Sequence, residues 1–280
     1  MAVRIDERLR RGAARHKLRA MRPNTQRGTA AWYVISLRPV GQHGALRRAA
    51  ANAGAQCIAV STTRIAPRND KATRAALRAA LAAPVVVFTS PNAVRCAAML
   101  SPLRPRRGQV VCAIGAGTAA ALRRAGLSEV VVPARADSEG VLALPALRDV
   151  AGRTVGLVTA PGGRDRLAPG LQARGAKLAR ADVYARVPIA PSPRAWTALR
   201  TLASRPCIAM SSVDALRGLV EHAPVDLRAR VLDWDVAAGS ARLADEARAL
   251  GFRRVRIAAG VRPAELVAAA RDGGPRRSIR

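Results

Sequence analysis

Small and hydroxyl-bearing residues follow the apolar segments of this chain where strands are predicted to end. Where these residues begin a helix, their free backbone N–H groups and their hydroxyl groups suit a carboxylate or a phosphate. Ordinary helix capping uses the same residue types, so no single segment establishes a site. Several of them around one cleft are stronger evidence than any one alone. The segments are Arg38-Pro39, Thr89-Ser90-Pro91-Asn92, Gly115-Ala116-Gly117-Thr118, Pro161-Gly162-Gly163-Arg164, Ser211-Ser212 and Gly239-Ser240.

Other kinds of reactive centre find no support in the sequence pattern. The glycine motif at 115–118 matches neither GxGxxG nor a Walker loop, so a nucleotide site is not expected. No Ser/His/Asp constellation and no pair of carboxylates stands at the predicted strand ends. His16, His43 and His222 lack metal-ligand spacing with the four cysteines, which we expect to be reduced. The sequence therefore predicts no metal site and no cofactor.

Strands alternate with helices along most of the chain. Short apolar runs, such as 33–37, 84–90 and 207–212, alternate with helical segments rich in Ala and Leu that commonly end at Gly. Further strands are predicted over 129–132 and 178–184, and a helix is predicted from its cap at Asp137 to about residue 147. This order is typical of a parallel sheet covered by helices on both faces. We therefore expect an α/β fold.

The same pattern begins again at residue 153. Leu37–Gly41 aligns with Thr159–Gly163, and Val87–Ser90 aligns with Ala209–Ser212 at nearly the same offset. An internal repeat of this kind predicts two similar doubly wound lobes, each built on a parallel sheet.

Two segments have the form of connections between such lobes. Gln56–Pro67 and Lys177–Pro191 each begin as a strand and end in Ala-Pro. We expect the chain to cross near 62–68 and 184–191, so that a two-stranded linker joins the lobes and a ligand cleft lies between them. The predicted division is a basic disordered tail over 1–30, a discontinuous first lobe over 31–64 and 189–272, and a second lobe over 68–185.

The chain carries a formal net charge of +30. Two explanations stay open: arginine spread over solvated helix faces, or an acidic partner such as nucleic acid or a polycarboxylate. Aromatic residues make up 2% of the chain, too few for a single-strand binding platform. No helix-turn-helix, zinc-finger or RNA-binding signature is present. We expect no specific nucleic-acid partner.

Targeting and membrane signals are weak. No apolar run approaches the roughly 20 residues that span a bilayer, and the first residues lack the apolar centre of a secretory signal. Residues 1–30 resemble a transit peptide in composition, although a disordered tail or a start at Met21 fits as well. We expect a cytoplasmic protein with no membrane partner, and nothing in the sequence demands more than a monomer.

Four motifs together resemble the uroporphyrinogen-III synthase family. They are FTSPNAV at 88–94, AIGAGTAAALRRAGL at 113–127, SEGVL at 138–142 and VYARVP at 183–188. The resemblance extends over residues 33–270. It implies two α/β lobes joined by a two-stranded linker. It also implies a lyase activity that closes hydroxymethylbilane, a linear tetrapyrrole with eight carboxylates, into uroporphyrinogen III with loss of water and inversion of ring D.

The resemblance further implies roles for individual residues. Tyr184 stands where the family has its linker tyrosine, and would assist departure of the hydroxyl group as a hydrogen-bond donor or acid. On the residues alone, the alternative is a half-buried strand tyrosine at a domain edge. Arg38 matches the family's Arg-Pro turn and would bind a carboxylate or cap a helix. The other matched positions would line the cleft and hold carboxylates: Thr89, Ser90, Asn92, Gly115, Thr118, Gly163 and Ser211.

Departures from the family pattern lie mainly in the second half of the chain. Ala160 replaces a polar residue, Ser211-Ser212-Val213 replaces a Thr-Ser-Pro-Ser pattern, and Arg242 stands at the position equivalent to Thr118. Two alternatives therefore stay open. One is a two-lobed binding module for an anionic small molecule, without activity. The other is a nucleic-acid-associated protein that uses the positive charge.

Overall fold

The computed structural model describes residues 32–162 and 166–272. The predicted tail over 1–30 and the predicted binding residue Gly163 lie outside the described residues. No helix in these two ranges is long and apolar enough to cross a membrane.

One sheet has five parallel strands and combines the two ends of the described chain. Its strands are β1 (Tyr33–Ser36), β2 (Gln56–Ala59), β9 (Cys207–Met210), β10 (Asp235–Ala238) and β11 (Arg254–Ile257). Their order across the sheet is β11-β10-β9-β1-β2. β1 thus lies between β2, its neighbour along the chain, and β9 from the distant C-terminal part.

The second sheet has four parallel strands from the middle of the chain. They are β4 (Val85–Phe88), β5 (Val110–Ala113), β6 (Thr154–Thr159) and β7 (Lys177–Asp182), in the order β5-β4-β6-β7. The predicted strand over 129–132 is wrong. Val131 forms only an isolated bridge to Cys112 at the edge of β5, and Pro133 next to it cannot donate a backbone hydrogen bond to prolong the pairing.

A separate two-stranded sheet connects the two parallel sheets, as the resemblance implies. β3 (Thr63–Pro67) and β8 (Tyr184–Pro188) are antiparallel, with Pro67 opposite Tyr184. The single strand predicted over 178–184 is therefore two strands in different sheets, because β7 ends at Asp182 and β8 begins at Tyr184. The α/β fold with two parallel-sheet lobes and a two-stranded linker is confirmed, whereas the residue boundaries of the lobes stay a prediction.

Helices cover both faces of each parallel sheet. Val34 and Ile35 are adjacent in β1, and they belong to core clusters on opposite faces of the five-stranded sheet. Val87 and Phe88 in β4 divide in the same way between the two faces of the other sheet. The alternation follows from the two-residue period of a strand. It confirms that both sheets are doubly wound.

The helices follow the predicted order with two differences. The helix predicted from Asp137 to about residue 147 is one short helix and a separate 3₁₀ turn, because Pro145 cannot continue the helical hydrogen bonds. A helix over 225–232 was not predicted, since only Leu227 and Val231 of its apolar residues are buried. The helices are α1 (Gly44–Asn52), α2 (Lys71–Ala82), α3 (Pro91–Leu100), α4 (Ala116–Arg124), α5 (Ser138–Leu142), α6 (Leu167–Ala173), α7 (Pro193–Arg200), α8 (Val213–Glu221), α9 (Val225–Leu232), α10 (Ala241–Ala249) and α11 (Pro263–Arg271), with the 3₁₀ turn at Pro145–Leu147.

Candidate active site

Two neighbouring helix N-termini lie at the carboxyl edge of the four-stranded sheet. Ser90 follows β4 and caps α3, and Gly115 follows β5 and caps α4. Because β4 and β5 are adjacent and parallel, their carboxyl ends lie at the same edge. Free N–H groups and the positive ends of two helix dipoles therefore point to one region, which suits an anionic ligand.

Tyr184 reaches this edge from the linker. Its hydroxyl lies 3.1 Å from Oγ of Ser90, which also accepts a 3.0 Å hydrogen bond from the backbone N–H of Ala93. The tyrosine side chain is 1% exposed, so it is buried and not half-buried as the alternative interpretation expected. A capping serine thus holds the phenol in place.

Arg186 is a second partner of the phenol that the sequence did not indicate. Its Nη2 donates to the Tyr184 hydroxyl at 3.4 Å, and its guanidinium carbon lies 5.7 Å from the ring centroid. The two residues are two apart in β8, so their side chains share a face of the strand. Since a guanidinium can only donate, the phenol oxygen accepts this bond and its own proton is directed elsewhere. In the described arrangement, the available acceptor is Ser90.

Two threonine hydroxyls lie beside this group. Oγ1 of Thr89 donates to Oγ1 of Thr159 at 2.7 Å, which links the ends of β4 and β6. The backbone N–H of Thr89 donates to the carbonyl of Val158 at 3.1 Å and fixes the end of the strand. Thr89 therefore lies at the carboxyl edge of the sheet, and Thr159 is an additional polar group at the same edge.

Asn92 joins the edges of the two parallel sheets. Its Oδ1 accepts a 2.9 Å hydrogen bond from Nε2 of Gln42 and a further bond from Arg95. Gln42 lies in the turn after β1, beyond the carboxyl end of that strand, and Asn92 lies in the first turn of α3. The carboxyl edges of both sheets therefore face one another across this contact. Gln42 had no sequence motif that marked it.

Arg38 lies on the opposite side of this contact, in the turn after β1. Its Nη2 donates to the carbonyl of Val261, in the turn after β11, at 3.1 Å. Partial burial lowers the pKa of the Arg38 guanidinium from its ordinary value, although the group stays cationic at neutral pH. One of its five N–H groups is thus engaged with the protein, which leaves donors for a carboxylate.

A buried histidine supports the turn that carries Arg38. Nδ1 and Nε2 of His43 lie 2.8 Å from Oγ of Ser36 and Oγ of Ser61, respectively. Ser61 donates its own proton to the carbonyl of Arg38 at 3.0 Å, so it must accept from Nε2–H, and Nδ1 accepts from Ser36. Burial, followed by the charges of Arg47 and Arg38, lowers the pKa of His43 and keeps it neutral.

The remaining predicted residues differ in their surroundings. Thr118 is 2% exposed within α4, so its hydroxyl has no open surface in this arrangement and the predicted contact with a carboxylate gains no support. A Cβ atom on Gly115 would lie 2.9 Å from Cβ of Ala136, so a side chain does not fit there. Ser211 is half-buried at the end of β9, next to Ser212, which caps α8.

The described residues offer no metal centre and no activated thiol. They contain no group of three or more His, Cys, Asp or Glu side chains placed to hold a metal ion. Burial raises the pKa of the Cys57 and Cys112 thiols to about 11 and that of Cys207 to about 12, so these thiols are protonated at neutral pH. The polar groups at the facing edges can bind anions, orient a ligand and move a proton at Tyr184.

Comparisons with known proteins agree with this architecture. The sequence profile of the family described as uroporphyrinogen-III synthase HemD matches residues 44–268. Uroporphyrinogen-III synthetase from Helicobacter pylori has a TM-score of 0.58 and 10% identity, over 86% of this chain and 99% of that chain. A mutant uroporphyrinogen III synthase from Thermus thermophilus has a TM-score of 0.54 and 20% identity, over 86% of this chain and 98% of that chain.

The solved structures and the family profile support different conclusions. No curated protein matches the chain significantly in sequence, and the solved structures are distant enough in sequence that they show the fold alone. The family profile, in contrast, spans most of the described residues, from the beginning of α1 into α11. The chain therefore belongs to the uroporphyrinogen-III synthase family, enzymes of tetrapyrrole biosynthesis that act on a small-molecule substrate.

Proposed function

We propose that this protein is a lyase that cyclises hydroxymethylbilane to uroporphyrinogen III, as a monomer in the cytoplasm. Family membership supports the reaction. In this chain, the main support is that the carboxyl edges of the two parallel sheets face one another. Gln42 and Asn92 are in direct contact there, and Tyr184 lies beside them. A binding module without activity is not favoured, because the chain belongs to an enzyme family and carries Tyr184 in hydrogen-bond contact with Ser90 at the facing edges.

The facing edges suit a substrate with many carboxylates. The helices α3, α4, α8 and α10 all begin at these edges, and each offers backbone N–H groups at the positive end of its dipole. Arg38 adds a cation on one side, with N–H donors that match a carboxylate. Anchors on both sides would hold the linear tetrapyrrole folded, with its two ends near each other.

Loss of water is the step for which Tyr184 is placed. The bond between the hydroxymethyl carbon and its oxygen breaks, and the electron pair leaves with the oxygen. Tyr184 donates its proton to that oxygen, which departs as water, and a cationic azafulvene remains. Arg186 already donates to the phenol oxygen, so it stabilises the negative charge that develops there. Because the phenol proton then points to the substrate, the Ser90 hydroxyl turns to donate to the phenol oxygen and keeps the phenol oriented.

Ring closure needs positioning more than reactive groups. The substituted carbon of ring D attacks the azafulvene carbon through a spiro intermediate, and the unaided reaction joins the other position of the ring. Holding the reacting carbons in the productive geometry is therefore the main task of the protein. This accounts for catalysis by a site built from helix N-termini, hydroxyl groups and one phenol.

The phenol of Tyr184 must become accessible before it can act on the substrate. Tyr184 is 1% exposed, so a substrate oxygen reaches it only when the surrounding contacts open. Separation of Gln42 from Asn92 would widen the space between the two edges, and closure around the substrate would restore a site that excludes water.

Product analysis tests the proposed function directly. The purified protein receives hydroxymethylbilane, the products are oxidised, and the isomers are separated by chromatography. We expect mostly isomer III. Isomer I alone, which is the product of unaided closure, from a protein that circular dichroism shows to be folded, would overturn the proposal and favour the binding module.

A further inference from the structure

One helical layer of the four-stranded sheet carries basic residues without any acidic ones. Residues 71–128 form α2, β4, α3, β5 and α4, and they contain eight Arg and one Lys but no Asp or Glu. The nearest acidic residues along the chain are Asp70 and Glu129, which flank the segment. The layer therefore bears positive charge with no compensating carboxylate of its own.

Six of the eight exposed arginines of this layer lie toward the amino edge of the sheet. α3 runs back from the carboxyl end of β4, so the loop between α3 and β5 lies at the amino edge. α4 runs back from β5 in the same way, and α2 ends at this edge because it leads into the beginning of β4. The exposed arginines in the later part of α2, in the loop after α3 and in the last turn of α4 form what we call the basic patch: Arg78, Arg104, Arg106, Arg107, Arg123 and Arg124.

The supporting helices hold the patch together. Arg74 of α2 donates through Nη1 to the carbonyl of Leu100 at the end of α3, at 3.2 Å. α3 packs in turn against α4. The basic patch is therefore presented by α2, by α4 and by the loop after α3, and contacts among the three helices hold these parts together.

Ion pairing distinguishes this layer from the helices of the five-stranded sheet. There, arginines pair with neighbouring acids, as Arg200 does with Asp226 and Arg248 does with Asp245, each at 2.8 Å. Within residues 32–162 and 166–272, no arginine of the basic patch forms an ion pair. A general preference for arginine explains the number of cations but not the exclusion of acids from one layer.

The candidate active site does not use the patch. Ser90 and Gly115 lie at the carboxyl edge of the four-stranded sheet, whereas the basic patch lies at the amino edge of the same sheet. A carboxylate held at the helix N-termini is thus at the opposite end of the helices. The charge of the patch calls for a different anionic partner.

We propose that the basic patch binds the phosphate backbone of duplex nucleic acid, without sequence specificity. Arginine forks bind phosphate oxygens in pairs, and a duplex presents phosphates at regular spacing along its length. No aromatic residue occurs between Phe88 and Tyr184, so the patch lacks the rings that stack on single-stranded bases or anchor a protein in a membrane interface.

The test compares two variants of the full chain that lose the same charge. The patch variant carries Arg104→Gln, Arg106→Gln, Arg107→Gln and Arg123→Gln. The control variant carries Arg48→Gln, Arg194→Gln, Arg228→Gln and Arg253→Gln, at exposed arginines outside the patch. A fluorescent DNA duplex of mixed sequence is titrated with each protein over a range of salt concentrations.

The patch variant should bind the duplex at least about tenfold more weakly than the wild type at low salt, and the control variant within about threefold. The salt slope of log K should fall by up to about 0.9 for each phosphate that the variant no longer binds. Equal losses in the two variants, or a wild type that does not bind, would overturn the proposal. The proposal would also be overturned, in favour of a membrane surface, if the patch variant lost binding to phosphatidylserine vesicles but bound the duplex as tightly as the wild type.

The same two variants also distinguish phosphate binding by these arginines from a structural role in the fold. Arg123 lies in the last turn of α4, where a cation also interacts favourably with the helix dipole. Urea unfolding of both variants reports that contribution. The cyclisation rate of the patch variant should equal that of the wild type, since the patch is remote from the site. Loss of duplex binding with the rate unchanged is the result that supports the proposal.

Discussion

The side-chain amide of Gln42 donates a 2.9 Å hydrogen bond to Oδ1 of Asn92 and so joins the turn after β1 to the first turn of α3. The two residues belong to different parallel sheets, and the antiparallel linker of β3 and β8 is the covalent connection between those sheets. A direct bond at the facing edges therefore biases how far apart the two lobes lie.

Gln42→Ala should release this contact. We expect a larger radius of gyration for the free protein in small-angle scattering and a return toward the wild-type value with product bound, because ligand contacts then hold the edges together. The free energy of unfolding should change by less than about 1 kcal/mol, as for one partly buried hydrogen bond. Gln172→Ala, at an exposed position of α6, is the matched control. Identical scattering from the variant and the wild type would show that the contact does not restrain the lobes.

Tyr184→Phe tests the proton donor without emptying its pocket. The ring stays buried and only the hydroxyl is removed, so the fold should persist, while the rate of uroporphyrinogen III formation should fall by about 100-fold, as for loss of a general acid. Tyr33→Phe changes a half-buried tyrosine of β1 that lies away from Ser90, and it should leave the rate unchanged. Wild-type turnover by the Tyr184 variant would remove this residue from the mechanism.

Arg186→Met tests the second partner of the phenol. Arg186 donates to the phenol oxygen at 3.4 Å, so its loss should lower kcat by about tenfold and leave KM within about twofold, since the bond matters most when charge develops on that oxygen. Arg186→Lys should recover part of kcat through the remaining charge. Arg64→Met, at an exposed position of the neighbouring strand β3, serves for comparison. A rise in KM at constant kcat would instead assign Arg186 to substrate binding.

His43 should make stability depend on pH in the mildly acidic range. Burial lowers its pKa in the folded protein below the ordinary value of 6.5, so the unfolded chain takes up this proton more readily. The contribution is present in full above pH 6.5 and is lost as the pH falls from there through the lowered pKa. Urea unfolding between pH 8 and pH 5 measures it. His43→Gln should flatten the profile over this range, and a profile identical to that of the wild type would contradict the assignment.

Local sequence patterns predicted most of the individual elements. The capping serines and aspartates could be predicted because the first N–H groups of a helix favour side chains that accept hydrogen bonds. Ser90, Asp137 and Ser240 each accept a hydrogen bond from a backbone N–H group in the first turn of their helix. The helix α9 was missed because Val225 is 96% exposed, so its apolar residues do not follow the spacing of a buried face.

Motifs placed Tyr184 and Thr89 at the site but did not indicate their surroundings. Arg186 differs from any other exposed arginine only in its position two residues from the tyrosine, and its contact depends on the rotamer that brings its guanidinium to the phenol. Thr118 belongs to a matched motif, yet the packing of α4 against the sheet buries its side chain. Burial depends on the neighbouring elements, and a single motif does not contain that information.

By itself the sequence determined the alternation of strands and helices, the internal repeat, the two crossings and the family, because period, capping and motif order are local properties of the chain. The tertiary structure alone decided which distant residues meet. It places β1 beside β9, brings Gln42 to Asn92, and leaves no room for a side chain at Gly156, where a Cβ atom would lie 2.1 Å from the carbonyl of Ala80. It also gathers the basic patch from α2, from α4 and from the loop after α3. Such contacts are set by how the sheets and helices pack, and residues far apart along the chain carry no local pattern that records them.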